Sequence, residues 1–307
     1  MTVPVIIDTD PGVDDAVALM LAATSPEVEL LAVTTVFGNV DLGRTTSNAL
    51  RLRTLAGLGR LPVAAGAARP LVHPHHQRTG SWHSPDGLGG RADLLPAPDG
   101  APHPLGAVSL MAGLLRSAAV PVTLVAIGPL TNIALLLAVH PEMTSRIGRI
   151  VIMGGHLDEG ASSEFNISSD PEAAHRVLTE EGLPTTLVPL DLTLRATIDA
   201  DWIGELAAAG PRCAALAGII ERYRVGVLAA SGRDAVALHD ALAVLEAAVP
   251  GALAASPMAL EVVCDHGPAR GALRAAAGGG NRCVQVARDA DLTSINATIL
   301  NRLRHLR

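Results

Sequence analysis

The chain has 307 residues, 49% hydrophobic and 17% charged, a balance that excludes a disordered chain and calls for a large buried core. Its net charge is −7 with no basic patch, which argues against nucleic acid or a membrane surface as partner. Every basic residue is arginine, so Schiff-base chemistry and a phosphate-loop lysine are excluded.

Val3 to Ile7 is a wholly apolar, β-rich run, the pattern of a strand buried on both faces. Asp8 to Gly12 reads as a turn and Val13 to Ala23 as a helix. Val28 to Val36 is a second buried strand, followed by a helix from Leu42 to Leu58 and a short strand from Leu61 to Ala65. This alternation predicts a parallel sheet with crossover helices. It resumes with a helix at Leu105 to Ala118, a strand at Val122 to Ile127 and a helix at Leu130 to Val139. A strand at Arg149 to Met153, a helix at Pro171 to Glu181 and a strand at Thr185 to Pro189 continue it. Asp199 to Leu228 is mostly helical and Asp240 to Ala248 starts another helix. Leu260 to Cys264, Gly271 to Ala275 and Cys283 to Ala287 read as short strands or hairpins, with a turn at Gly278 to Asn281. The expectation is one large α/β domain over 1–307, a mostly parallel central sheet flanked by helices, with small additional strands near the C-terminus.

Residues 66–104 stand apart: they hold Gly, Pro and, within His73 to His83, four of the eleven histidines, in a long segment of the kind that is functional or mobile. His73, His75, His76 and His83 have spacing that can hold Zn²⁺ or Ni²⁺, although a mobile active-site loop is the simpler reading. Cys213, Cys264 and Cys283 are odd in number and show no paired spacing, so free thiols in a reducing cytosol are expected. The start of the chain reads as a strand, not a signal peptide. The most apolar stretch, Val122 to Val139, is broken by Gly128-Pro129 and Thr131-Asn132, as a strand, turn and helix would be.

The chemistry gathers in Asp8-Thr9-Asp10-Pro11-Gly12-Val13-Asp14-Asp15, with four carboxylates in eight positions at the carboxyl end of the first strand. Ligands of open parallel sheets bind at such strand ends. A helix N-terminus softens the repulsion of one or two carboxylates but not four, so a bound cation is the natural remedy, although Asp14 and Asp15 also suit simple capping. Oxygen-only ligation favours Ca²⁺ or Mg²⁺ over Zn²⁺. His239-Asp240 opens a later helix, where Asp240 is a third carboxylate ligand if a metal lies nearby and His239 a proton donor. Glu164 and Asn166 offer an acceptor and a donor for sugar hydroxyls. Gly38-Asn39, Gly128 to Asn132 and Met153-Gly154-Gly155 each follow a strand, which suggests one shared crevice.

Together these segments resemble the nucleoside hydrolases of the inosine-uridine-preferring type. The resemblance rests on the octet, Phe37-Gly38-Asn39, Gly128 to Asn132, Met153-Gly154-Gly155, Glu164-Phe165-Asn166 and His239-Asp240, in family order over most of the chain. It implies hydrolysis of the N-glycosidic bond of free ribonucleosides by a Ca²⁺-bound water, with Asp10 as general base. Asp10, Asp15, Asp240 and the backbone carbonyl of Ile127 would hold the Ca²⁺. Asp14, Asn39, Glu164 and Asn166 would hold the ribose hydroxyls, His239 would face the leaving base, and His83 matches a histidine of the family's mobile active-site loop. Asp158 stands six positions before Glu164, where the family has Asn, and is its counterpart in substrate binding. The resemblance implies that the helix before His239 supplies aromatics to the base; there Tyr223 is the sole tyrosine of the chain, while Val227 and Ser231 occupy positions often aromatic or polar in relatives, and Trp82 is a second candidate for stacking. The resemblance also implies a cytoplasmic homodimer or homotetramer in nucleoside salvage. Two other readings stay open: a non-catalytic Ca²⁺- or sugar-binding protein, and a Mg²⁺-dependent aspartate phosphatase suggested by Asp8-Thr9-Asp10, against which the missing lysine counts.

Overall fold

Val5, Ile6 and Ile7 are sealed from solvent because both faces of their strand are covered by helices. In the computed structural model, which describes residues 2–74, 83–158, 160, 162–276 and 282–306, the chain opens with β1 (Val3–Thr9), α1 (Val13–Thr24), β2 (Val28–Thr35), α2 (Leu42–Leu55) and β3 (Val63–Ala65). Next come α3 (Ala107–Ser117), β4 (Val122–Ala126), α4 (Thr131–Val139), β5 (Ile147–Met153), α5 (Phe165–Ser169), α6 (Pro171–His175), β6 (Thr185–Val188) and α7 (Leu190–Thr193). The second half adds β7 (Thr197–Ile198), α8 (Ala200–Ala207), α9 (Pro211–Ser231), β8 (Val236–Ala237) and α10 (His239–Ala248). It ends with β9 (Ala254–Met258), β10 (Leu260–Val262), β11 (Leu273–Ala275), β12 (Val284–Asp289) and α11 (Leu292–Leu303).

One eight-stranded sheet runs in the order β3-β2-β1-β4-β5-β6-β12-β9. Every neighbouring pair is parallel except β12 with β9 at the edge. The strand order reverses between β1 and β4, and such a switch point opens a crevice at the carboxyl ends of the two strands. Alternate residues feed two apolar layers. Val5, Ile7, Val125, Ile127, Val151 and Met153 face α1 and α10. Ile6, Leu124, Ala126, Ile150 and Ile152 face α3 and α4. The aliphatic sequence fills both layers.

The expected architecture is present, with local differences. The first strand runs on through Thr9, because Asp8 and Thr9 keep their pairing with Thr34 and Thr35. The helix expected over 171–181 is a short α-helix that widens into a π-helical turn at Arg176–Glu180. The helical stretch 199–228 is two helices, broken at Gly210 (φ 148°), with Pro211 opening the second. Leu260–Val262 and Leu273–Ala275 pair as an antiparallel hairpin, but Val284–Asp289 is a parallel strand of the main sheet beside β6. Strand β9 and helix α11 were not expected. The former is a largely exposed edge strand with no apolar run; the latter buries only one stripe, through Ile295, Ile299, Leu300 and Leu303. The expected turn at Gly278 to Asn281 lies outside the described residues, as do His75, His76 and Trp82. Among the described residues no helix is long and apolar enough to cross a membrane.

Candidate active site

The switch-point crevice is a cavity of about 400 Å³, a size that suits a small ligand. Its floor comes from four strand ends: Asp10 follows β1, Gly38 and Asn39 follow β2, Ile127 follows β4 and Met153 ends β5. Asp14 and Asp15 enter from the first turn of α1, His239 and Asp240 from the first turn of α10, and Tyr223 from α9. These two first turns meet because α1 and α10 share one apolar layer against the sheet.

The carboxylates converge. Asp14, Asp15 and Asp240 can each offer an oxygen lying within 4.8 Å of the others'. Asp15 is held by Thr9 Oγ1 and by the Gly12 N–H at 2.8 Å. Asp10 Oδ2 accepts from the Asn39 N–H at 2.7 Å, while the Asn39 side-chain amide reaches the Asp10 carbonyl at 3.2 Å and Asp15 Oδ2 at 3.4 Å. Asp10 Oδ1 and Asp14 Oδ1 are buried and without a hydrogen-bond partner among the described residues. Two glycines make room for Asp10: a Cβ on Gly38 would fall 2.0 Å from Asp10 Oδ2, and one on Gly128 would fall 2.7 Å from Oδ1. Gly38→Ala is therefore expected to displace this carboxylate and weaken the affinity for a divalent cation by roughly 10- to 100-fold, as an overpacking penalty of about 1–3 kcal/mol implies. Titration calorimetry reads this directly, and an unchanged affinity would exclude Asp10 as a ligand.

Burial, then repulsion from Asp15, raises the Asp10 carboxyl well above its ordinary value. Burial followed by repulsion from Asp14 does the same to Asp15. Asp240 is raised by burial first and then by Asp14, Asp15 and Asp10. Buried carboxylates that repel one another, offer unpaired oxygens and have no basic side chain but histidine in the crevice lining fit a hard divalent cation. This donor set contains oxygen only, as Ca²⁺ or Mg²⁺ prefers.

Several expected residues take more specific places. Asp8 turns away from the crevice: its Oδ1 accepts from Thr34 Oγ1 and, at 2.8 Å, from the Asn132 amide, and burial raises its pKa to about 7. Glu164 lines the crevice, yet its carboxylate caps α5 through the Asn166 and Ile167 N–H groups and also accepts from the Gly155 N–H. Burial raises its pKa. The Asn166 amide donates to the carbonyls of Ile127 and Met153, which leaves its oxygen for a ligand. Asp158 is not brought to this crevice. Its side chain is 76% exposed and lies 3.9 Å from His156 Nε2, beside a separate cavity.

At the other end of the crevice His83 accepts from the Val13 N–H through Nδ1, at 3.1 Å, and places Nε2 3.7 Å from Asp14. Its ring stacks on Tyr223 with centroids 5.0 Å apart and planes 7° from parallel. The turn that follows is fixed by Asp86, whose carboxylate accepts from the Leu88, Gly90 and Ala92 N–H groups, and by Gly87 (φ 81°), where a Cβ would meet Asn48 at 2.8 Å. His73 sits 3.5 Å from Glu172 and edge-on to His266, away from His83, so the histidine-rich segment is not gathered around one point at these two described positions. His239 shares a 2.8 Å hydrogen bond with Thr193 through Nδ1. Burial lowers the pKa of His83 and His239 alike, with Asp14 opposing the shift in both. Burial also keeps the Tyr223 phenol protonated. Leu190, Leu194 and Thr193 were not anticipated from the sequence. Their one signal is position, directly after the buried strand β6.

Comparison with known proteins agrees with this geometry. A family model described as inosine-uridine preferring nucleoside hydrolase matches residues 5–297. The chain is 49% identical over 201 residues to a pyrimidine-specific ribonucleoside hydrolase RihA of Photobacterium profundum, an alignment covering 64% of this chain and 64% of the relative. It is 46% identical over 213 residues to the RihA of Salmonella enteritidis, covering 68% and 67%. Among solved structures, a plant nucleoside hydrolase, the PpNRh1 enzyme, superposes with a TM-score of 0.91 at 29% identity, covering 99% of this chain and all (100%) of that one. A purine-preferring ribonucleoside hydrolase from Gardnerella vaginalis gives 0.92 at 28% identity, covering 99% and 98%. With the family model matching nearly its whole length, this chain belongs to the inosine-uridine preferring nucleoside hydrolase family.

Proposed function

We propose that the chain hydrolyses the N-glycosidic bond of free ribonucleosides, releasing ribose and base, with a resident Ca²⁺. The observation that carries this reading is the meeting of Asp10, Asp14, Asp15 and Asp240 in one crevice with His239 at its edge. Asp10, Asp15, Asp240 and the Ile127 carbonyl would hold the ion. When bound, the ion supplies positive charge that acidifies a coordinated water and fixes the sugar diol.

The residues then divide the work. Asp10, whose Oδ1 has no partner among the described residues, takes the proton of the attacking water. Asp14, Asn39 and the Asn166 oxygen orient the ribose hydroxyls, and Glu164 sets the backbone of that wall. Breaking the glycosidic bond develops cationic character on the sugar, and the surrounding carboxylates stabilise it. His239 donates a proton to the leaving base; its lowered pKa makes it a strong donor once protonated. The stacked His83 and Tyr223 rings offer the base an aromatic wall. No phosphate is handled, so a chain without lysine is adequate.

Ribose release measured across uridine, cytidine, inosine, adenosine and guanosine tests the proposal. The RihA relatives are named pyrimidine-specific, which puts uridine and cytidine first. Failure to turn over all five nucleosides and p-nitrophenyl riboside, with Ca²⁺ bound, would leave a sugar-binding protein instead. His239→Ala is expected to slow uridine by about 10²–10⁴-fold, the usual contribution of a proton donor. It should slow p-nitrophenyl riboside far less, since that leaving group departs without protonation. Equal slowing of both substrates would exclude His239 as the donor.

A further inference from the structure

A histidine that serves a leaving group must present one particular nitrogen to it. The torsion that turns the imidazole ring is broad and roughly two-fold. A half-turn of the ring replaces Nε2 by a carbon atom. Something in the protein must therefore select one ring orientation, and the hydrogen bond made by the other nitrogen usually does so.

The candidate is Thr193. It is fully buried and does not line the crevice, yet its Oγ1 lies 2.8 Å from His239 Nδ1. Nδ1 thus points into the protein. That leaves Nε2, on the other side of the ring and without a hydrogen bond among the described residues, as the nitrogen available to the crevice that His239 lines. The backbone builds this meeting. β7 and β8 pair antiparallel, Thr197 opposite Ala237 and Ile198 opposite Val236. The pairing continues towards the site, where the Leu238 N–H donates to the Ala196 carbonyl at 2.9 Å. Just beyond this bond, His239 directly after Leu238 meets Thr193, three residues before Ala196.

The turn that carries Thr193 is itself restrained. The Thr193 N–H donates to the Pro189 carbonyl at 3.1 Å. Asp191, two residues earlier, accepts from the Leu157 N–H at 3.0 Å. A hydroxyl held this way is a fixed reference against which the ring can be set.

We propose that Thr193 is the positioning residue for His239, its buried hydroxyl taking the Nδ1 side of the ring so that Nε2 is turned to the leaving base. This rests on the reading of His239 as the group that serves the leaving base. Thr193 touches no substrate. A valine has nearly the same shape as threonine but lacks the hydroxyl, whereas serine keeps it.

The test compares kcat for uridine with kcat for p-nitrophenyl riboside in the Ca²⁺-loaded enzyme. Thr193→Val should lower the uridine to p-nitrophenyl riboside ratio by roughly 10- to 100-fold, by analogy with the loss seen when the partner that orients a metal-ligating histidine is removed. The KM for uridine should stay within about twofold, since no ground-state contact is lost. Thr193→Ser should restore the ratio. Thr193→Val combined with His239→Ala should lower it no further than His239→Ala alone, because the two residues act as one unit. A normal ratio in Thr193→Val, a Thr193→Ser variant as impaired as the valine, or losses that multiply in the double variant would each overturn the proposal. If His239→Ala itself leaves the ratio unchanged, the reading of His239 fails and this proposal with it. If His239→Ala lowers the ratio and Thr193→Val does not, only the role of Thr193 fails.

Discussion

Replacing Asp10 by Asn is expected to lower kcat for uridine by more than ~10³-fold, because the proposed function gives one side chain the work of both proton acceptor and metal ligand. The amide keeps the volume of the carboxylate, and its oxygen can still accept the Asn39 N–H bond. The fold should therefore survive, as circular dichroism and an unchanged melting transition would show. What changes is the buried Oδ1, which has no hydrogen-bond partner among the described residues and so is open to water or a cation. An amide nitrogen there neither accepts a proton nor ligates. Turnover within tenfold of the parent enzyme, a bound of about 1.4 kcal/mol in activation free energy, would show that another group carries the base.

Removing the proposed cation should have the second large effect, on turnover and on stability together. Exhaustive chelation is expected to reduce turnover to background and Ca²⁺ to restore it. Stability should then depend on pH in a definite direction. The folded-state pKa of Asp8 is raised from 3.8 to about 7 by burial. Asp10, Asp15 and Asp240 are shifted upwards as well. Such groups favour the folded chain while protonated. Their contribution is complete below about pH 4 and is lost as pH rises through the raised folded-state value, about 7 for Asp8. A tenfold gain in proton affinity on folding is worth about 1.4 kcal/mol, so the ion-free protein should melt at a visibly lower temperature at about pH 8 than at about pH 5. Saturating Ca²⁺ should offset the loss, since an ion at a hundred times its Kd stabilises by about 2.7 kcal/mol. Calorimetry with and without chelator measures both effects. A melting temperature that is equal at the two pH values without the ion would contradict burial of these carboxylates.

The parts of this molecule legible in the sequence were those encoded locally. The octet from Asp8 to Asp15 identifies a strand end, a helix start and a charge problem in one glance, and all but Asp8 of its carboxylates line the crevice. The strands of the sheet interior announce themselves as unbroken apolar runs because both faces are covered. Elements with one exposed side left weaker traces. β9 has mostly exposed residues and α11 carries a thin apolar stripe. The parallel pairing of β12 with β6 is a tertiary choice that no local pattern states. Within the site, the same limit hid Thr193, an ordinary threonine until the β7–β8 pairing sets it against His239. It also hid the separate place of Asp158, whose position before Glu164 says nothing about which cavity it borders.

The two first turns that meet over the crevice come from α1 and α10, near opposite ends of the polypeptide. A ribosome that has delivered Asp10, Asp14 and Asp15 must still synthesise most of the protein before Asp240 can join them. Contacts so distant in sequence form slowly, because a long loop of chain has to be closed first. Until then the acidic trio lacks Asp240, so the proposed cation site is complete only once α10 has docked. Tight ion uptake by a nascent chain therefore reports that synthesis and folding have both passed α10.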